Sequence, residues 1–108
     1  MASSKEYLQF ILDQLSGLEG VSFQAMMGEY LIRYQGKIVG GIYDDRFLVK
    51  NTEAARRLMP EAARDLPYEG AKQMLLVDAV DDPGFLRQLL NAMAPELPEP
   101  GKKPGRTR

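Results

Sequence analysis

Residues 21 to 50 read VSFQAMMGEYLIRYQGKIVGGIYDDRFLVK, and this stretch decides the fold class of the 108-residue chain. Short runs rich in β-branched and aromatic residues are separated by three pairs that tight turns favour, namely Gly28-Glu29, Gln35-Gly36 and Asp44-Asp45. The pattern predicts an antiparallel meander with strands over residues 21–27, 30–34, 37–43 and 46–50.

Alternation along the meander predicts which face of the sheet is buried. In the second strand Tyr30, Ile32 and Tyr34 share one face, whereas Leu31 and Arg33 share the other. One face of each strand is more apolar than its opposite. This difference indicates a sheet that helices cover on one side.

Two consecutive glycines, Gly40 and Gly41, lie inside the third strand, where glycine weakens regular pairing. One interpretation is a bulge or a close approach of another group to the backbone. The other is a ligand or a partner docking on bare main chain. We favour the first, and the second stays open.

The first helix is predicted from a capping box and an apolar stripe. Ser3 is positioned to cap the helix, Glu6 completes the box, and Gly17 provides a natural stop. The apolar stripe at helical spacing consists of Leu8, Ile11, Leu12 and Leu15.

The sequence from Asn51 to residue 97 predicts two helices and two strands. One helix is capped within Asn51-Thr52 and the last one within Asp81-Asp82. Between them, residues 65–68 predict a short edge strand because Pro67 cannot donate to a central ladder, and residues 73–78 predict an interior strand. The order α-β-β-β-β-α-β-β-α indicates an α+β two-layer sandwich, with an antiparallel sheet of five to six strands and helices packed on one face.

Composition predicts one domain over residues 1–97 and a disordered basic tail rich in Pro and Gly over residues 98–108. Residues 1–98 carry 10 Lys and Arg against 14 Asp and Glu, so the body is acidic and disfavours direct nucleic-acid binding. Candidate polyanion contacts are confined to the tail, at Lys102, Lys103, Arg106 and Arg108. The chain shows neither a secretory signal nor an apolar run long enough to span a membrane, so a cytoplasmic protein is expected.

The absence of Cys and His removes the commonest routes to catalysis. Without them the chain has no thiolate nucleophile, no histidine base and none of the ligands that zinc prefers. A carboxylate pair or an activated lysine remains possible. However, Asp44-Asp45 and Asp81-Asp82 occupy turn and cap positions, which explain them structurally. We therefore expect a protein that is not an enzyme and holds no cofactor or metal.

Four segments taken together resemble the TfoX/Sxy N-terminal domain family. They are Met26-Met27-Gly28-Glu29-Tyr30, the Gly36-Lys37 turn, Asp44-Asp45-Arg46-Phe47-Leu48-Val49-Lys50 and Pro67-Tyr68-Glu69-Gly70. The resemblance covers about residues 4 to 97. Many members of that family carry Met-Phe-Gly-Gly where this chain has Met26-Met27-Gly28-Glu29, and the full-length regulators have a second domain where this chain has its basic tail.

The resemblance implies a two-layer α+β domain that regulates competence genes together with a cyclic-AMP-responsive activator, without catalysis. We expect a protein–protein interaction module, and a homodimer is also compatible with the sequence. The candidate interaction surface consists of Gly28, Glu29, Tyr30, Arg33, Arg46 and Lys50. Two alternatives stay open: a small-molecule pocket between sheet and helices near Gly40-Gly41, and nucleic-acid binding through the tail.

Overall fold

The computed structural model describes residues 3–98, so the predicted tail from residue 99 onwards lies outside the described residues. The strands are β1 (Val21–Met26), β2 (Glu29–Tyr34), β3 (Lys37–Ile42), β4 (Phe47–Val49), β5 (Arg64–Asp65) and β6 (Met74–Leu76). The helices are α1 (Lys5–Gln14), α2 (Glu53–Leu58) and α3 (Pro83–Met93), and a short 3-10 helix follows at Ala94–Glu96. The predicted element order and the α+β class are confirmed.

All six strands form one antiparallel sheet in the order β1-β2-β3-β4-β6-β5. The strand predicted at 73–78 is therefore interior, between β4 and β5, as its apolar pattern indicates. The edge strand predicted at 65–68 begins one residue earlier and is only two residues long. Its pairing ends before Pro67, which has no N–H to donate.

The three hairpin turns all place two consecutive residues in the left-handed region, the geometry of type I′ turns. The φ angles are 53° and 85° at Met27-Gly28, 54° and 83° at Gln35-Gly36, and 55° and 56° at Asp44-Asp45. The first turn was predicted one residue too late. Glu29 pairs with Met26 inside the ladder, so Met27 rather than Glu29 joins Gly28 in the turn.

A bulge in β3 explains the two glycines. Ile32 pairs with Gly40 but Arg33 pairs with Ile38, which leaves Val39 as an extra residue. A Cβ atom on Gly40 would overlap the carbonyl oxygen of Leu48 and lie 2.7 Å from the next Cα atom of β4. The interpretation as a bulge with close backbone approach is confirmed.

The helices cover the face of the sheet that carries Ile32 and Tyr34, as alternation predicts. This helix-covered face holds the main core. It buries Ile32, Tyr34, Phe47 and Val49 of the sheet against Leu8, Ile11, Leu15, Leu86, Leu89, Leu90 and Met93 of the helices. We call the opposite face, which carries Leu31, Arg33 and Leu48, the outer face. Within residues 3–98, no helix combines the length and apolarity that crossing a membrane requires.

Helix α1 differs from its prediction at both ends. Its N-cap is Ser4, whose hydroxyl accepts from the Tyr7 N–H at 3.1 Å, and not Ser3. Ser3 is buried instead and bonds to the sheet. The helix ends at Gln14, and the left-handed glycine expected at Gly17 is found three residues later, at Gly20 (φ 88°).

Candidate functional site

Gly28 and Glu29, two of the predicted interaction residues, anchor the N-terminal segment. Ser3 Oγ donates to Glu29 Oε1 at 2.7 Å and accepts from the Asp45 N–H at 3.1 Å. The Asp44 N–H donates to the same Glu29 oxygen at 3.0 Å, and the Ser3 N–H donates to the Gly28 carbonyl oxygen at 3.0 Å. Together these bonds join the chain before α1 to two hairpins, so both residues have a structural role.

Arg46 is held on two sides. Its Nη1 lies 2.5 Å from Asp65 Oδ2, and its Nε donates to the Tyr43 carbonyl oxygen at 3.0 Å. The ion pair joins the start of β4 to β5, although those strands are separated by β6 in the sheet. The guanidinium is therefore engaged within the domain before any partner arrives.

The Arg46–Asp65 pair predicts a specific pH dependence. The hydrogen bond from Arg46, followed by the Leu66 N–H, holds the pKa of Asp65 below its ordinary value of 3.8. A depressed carboxyl pKa stabilises the fold at pH values above the ordinary pKa, and this contribution is lost as pH falls through the folded value. Asp65→Asn should therefore be less stable than the wild type at neutral pH, with the difference vanishing in acid.

Urea unfolding at neutral and acid pH measures this difference. Glu61→Gln is the matched control, since Glu61 is exposed and outside the pair. A gap between wild type and Asp65→Asn that stays constant across this range would contradict the linkage.

The remaining predicted residues do not gather on one surface. Arg33 lies on the outer face, where its Nη1 donates to Gln24 Oε1 at 2.6 Å. Tyr30 lies on the helix-covered face and is half-buried, with its ring centroid 6.0 Å from that of Phe23. Lys50 belongs to the outer face, where it lines a cavity. The six residues are thus divided between two faces and a hairpin tip.

Within residues 3–98, β1 is one edge of the sheet, and no other strand pairs with its outer side. Five of its six residues are exposed, including Phe23 and Met26, and Met27 in the adjoining turn is 97% exposed. Natural edge strands are shielded by lysines, prolines or bulges. The strand VSFQAM has none of these and pairs with β2 in unbroken register. We call Val21–Met26 the β1 edge.

The two-residue turn between β1 and β2 determines which backbone groups of the β1 edge are hydrogen-bonded to β2. Such a turn closes on a hydrogen-bonded pair, here Met26 and Glu29, and bonding alternates from there along the ladder. Ser22 and Gln24 therefore bond to β2. The N–H and C=O groups of Phe23 and Ala25 point away from the sheet.

A cavity of about 540 Å³ lies against the outer face. Its floor is formed by Leu31, Ile38 and Gly40, and its walls by parts of segments 50–52, 67–74 and 96–98. A small-molecule pocket near Gly40-Gly41, between sheet and helices, stays a prediction: the cavity touches Gly40, and its lining includes Thr52 at the start of α2 and Glu96 of the 3-10 helix. Of the strand residues of the lining, Leu31 and Ile38 belong to the outer face.

Ionisable groups in the described part of the chain are dispersed. Within residues 3–98, no three carboxylates come close enough together to hold a metal ion. Burial is the main cause that raises the pKa of Tyr43, followed by the neighbouring Tyr68 and Glu29. The Tyr43 ring packs over Gly41, where a Cβ atom would lie 2.7 Å from its Cε2.

Sequence reasoning missed the β1 edge and, apart from Gly40, the lining of the outer cavity. A signal for the edge exists in the sequence, since no charged residue occurs from Gly20 to Gly28. The cavity has no comparable signal, because its walls come from segments far apart in the chain.

Comparison with known proteins identifies a relative by sequence. No family model matches the chain, and no solved structure matches it. It is similar to a protein of Spirochaeta aurantia described as an uncharacterized 12.7 kDa protein in the trpE 5′ region. The two are 32% identical over 109 residues, which span 100% of this chain and 95% of the relative.

Proposed function

The chain belongs to the same family as the 12.7 kDa spirochaete protein, and we propose that it is a non-enzymatic protein-interaction module that docks its partner on the β1 edge. The partner contributes an extended segment of low charge, which adds a strand beside β1. The resemblance to the TfoX/Sxy N-terminal domains supports a role in competence-type transcriptional regulation. On this proposal the partner is a transcription protein.

One observation carries this proposal: among the described residues 3–98, the β1 edge has backbone groups without a partner strand next to exposed apolar side chains. An added strand gains affinity from main-chain hydrogen bonds and specificity from alternate side chains. Phe23 and Ala25 supply outward donors and acceptors, and the exposed rings and thioethers of Phe23, Met26 and Met27 supply apolar contact. An uncharged docking edge favours an uncharged partner segment, because a buried unpaired charge is costly.

Photocrosslinking in the native host tests the proposal. Benzoylphenylalanine replaces Phe23, and the matched control carries it at Phe10, an exposed aromatic residue on α1. We expect the probe at position 23 to capture a transcription protein that the probe at position 10 does not capture.

A proline variant of the edge makes the test specific. Ala25→Pro removes one outward N–H but leaves the ladder with β2 intact, so capture should fall at least about tenfold. Ala25→Ser keeps the N–H and should capture as well as the wild type. Equal capture from both probe positions, capture unaffected by Ala25→Pro, or capture of a second copy of this chain alone would each overturn the proposed partner.

A further inference from the structure

The outer cavity is large enough for a small organic molecule. Its volume of about 540 Å³ falls within the range of roughly 300 to 1,000 Å³ that is typical of ligand pockets. It is bounded by sheet on one side and by loop and C-terminal segments on the others. The cavity and the β1 edge share no residue, so its function is independent of the docking proposed above.

Apolar groups form most of the cavity surface. Leu31 and Ile38 provide the floor, Ala71 contributes from the loop after β5, Met74 from the start of β6, and Leu97 from the C-terminal side. Gly40 lines the floor without a side chain, and the absence of a side chain at Gly41 lets Tyr43, which also lines the cavity, pack against the strand. Such a lining favours an apolar body in contact with the sheet.

The charged groups of the lining are unbalanced. Lys50 and Lys72 both line the cavity, against the single carboxylate of Glu96. One oxygen of Glu96 already accepts from the Ala54 N–H at 3.0 Å. Within residues 3–98, neither lysine forms an ion pair, since the salt bridge found there joins Arg46 and Asp65. Two ammonium groups are thus available to a ligand in an otherwise acidic body.

We infer that the outer cavity binds a small amphipathic anion, with an apolar body against Leu31 and Ile38 and an acidic head group facing Lys50 and Lys72. Burial of the body supplies affinity, because apolar surface leaves water. The lysines supply the preference for a negative charge. Gly40 then has two roles. Its missing side chain allows close packing against β4, and its backbone forms part of the floor of the ligand site.

Two fluorescent probes with the same apolar body test this inference. Anilinonaphthalene sulfonate carries a negative charge, and phenylnaphthylamine is its uncharged analogue. We expect saturable one-to-one binding of the sulfonate, about tenfold tighter than the uncharged probe, since two partly exposed ion pairs contribute of order 1 kcal/mol. Amide chemical-shift changes should be confined to the cavity lining, with none along β1.

Two variants assign the binding to this cavity. Lys50→Gln/Lys72→Gln should remove the preference for the sulfonate while the uncharged probe still binds. Lys5→Gln/Arg57→Gln is the matched control, since it removes two exposed charges outside the cavity. Ile38→Trp fills the floor and should abolish binding of both probes, with circular dichroism confirming that the variant folds.

Four results would each contradict a ligand site for an amphipathic anion in the outer cavity. The assignment is overturned if both probes bind equally well to the wild type, or if the lysine double variant retains the preference for the sulfonate. Shift changes centred on β1, or a variant Ile38→Trp that folds and still binds, would also overturn it. None of these results depends on whether a protein partner docks on the β1 edge.

Discussion

Replacing Gly40 by alanine should lower the free energy of unfolding by about 3 kcal/mol, near the upper end of the usual cost of overpacking. A single methyl group at this position would overlap the Leu48 carbonyl oxygen and lie 2.7 Å from the Val49 Cα atom. Both obstacles are backbone atoms of a central strand, so no side-chain rotation relieves them. The β3–β4 ladder must separate or the bulge must unwind.

Urea unfolding followed by circular dichroism measures the loss. Gly84→Ala is the matched control, because a Cβ atom there meets only Asp82 Oδ1, at 3.6 Å. That variant should be neutral or more stable by a few tenths to about 1 kcal/mol, since alanine restricts the unfolded chain. Equal stabilities of the two alanine variants would show that β3 and β4 are not in such close contact.

Replacing Phe47 by alanine should cost about 4 kcal/mol, the typical loss for a fully buried aromatic residue. Phe47 has 0% exposure and is among the largest fully buried side chains of the core. It lies on a central strand, pairs with Ile42 and accepts the Val77 N–H through its carbonyl oxygen at 3.0 Å. Truncation therefore leaves a cavity surrounded by rigid sheet and helices, which cannot collapse to fill it.

The control for Phe47→Ala is the same substitution at Phe10. That residue is 36% exposed on α1 and contacts Tyr7 at a ring-centroid distance of 6.2 Å. We expect the free energy of unfolding to fall by about 1 kcal/mol or less there. The Phe10 ring is partly exposed, so water can occupy the space that it leaves and no void forms. A comparable loss at both positions, again measured by urea unfolding, would contradict the assignment of Phe47 to the core.

Local rules predict most of the fold correctly. Turn chemistry locates the hairpins at Gln35-Gly36 and Asp44-Asp45, and two-residue periodicity assigns Ile32 and Tyr34 to the buried face. The interior position of β6 follows from its apolar pattern. These features depend on residues that are close together in the sequence.

The errors arise where distant segments compete for the same group. Ser3 has the sequence context of an N-cap, but its hydroxyl instead bonds to Glu29 and to the Asp45 N–H, and Ser4 caps the helix. Arg46 was expected on a free surface, whereas it is paired with Asp65 from another strand. No local pattern contains these partners.

The candidate site was predictable only in part, for the same reason. The uncharged run of the β1 edge can be read from the sequence, but its position at the border of the sheet depends on where β6 inserts. The outer cavity needs Leu31, Lys50, Lys72 and Glu96 together, and these residues come from four separate segments. Only the assembled fold brings them to one place.

The two ends of the described chain restrict how the protein can be labelled or fused. The Ser3 N–H is bonded to Gly28 at the tip of the β1–β2 hairpin, and Pro98 lines the outer cavity. A label attached at Ser3 therefore lies beside the docking edge, and a label attached at Pro98 lies beside the cavity. Crosslinking experiments therefore call for a label placed away from Ser3, and probe titrations call for one placed away from Pro98.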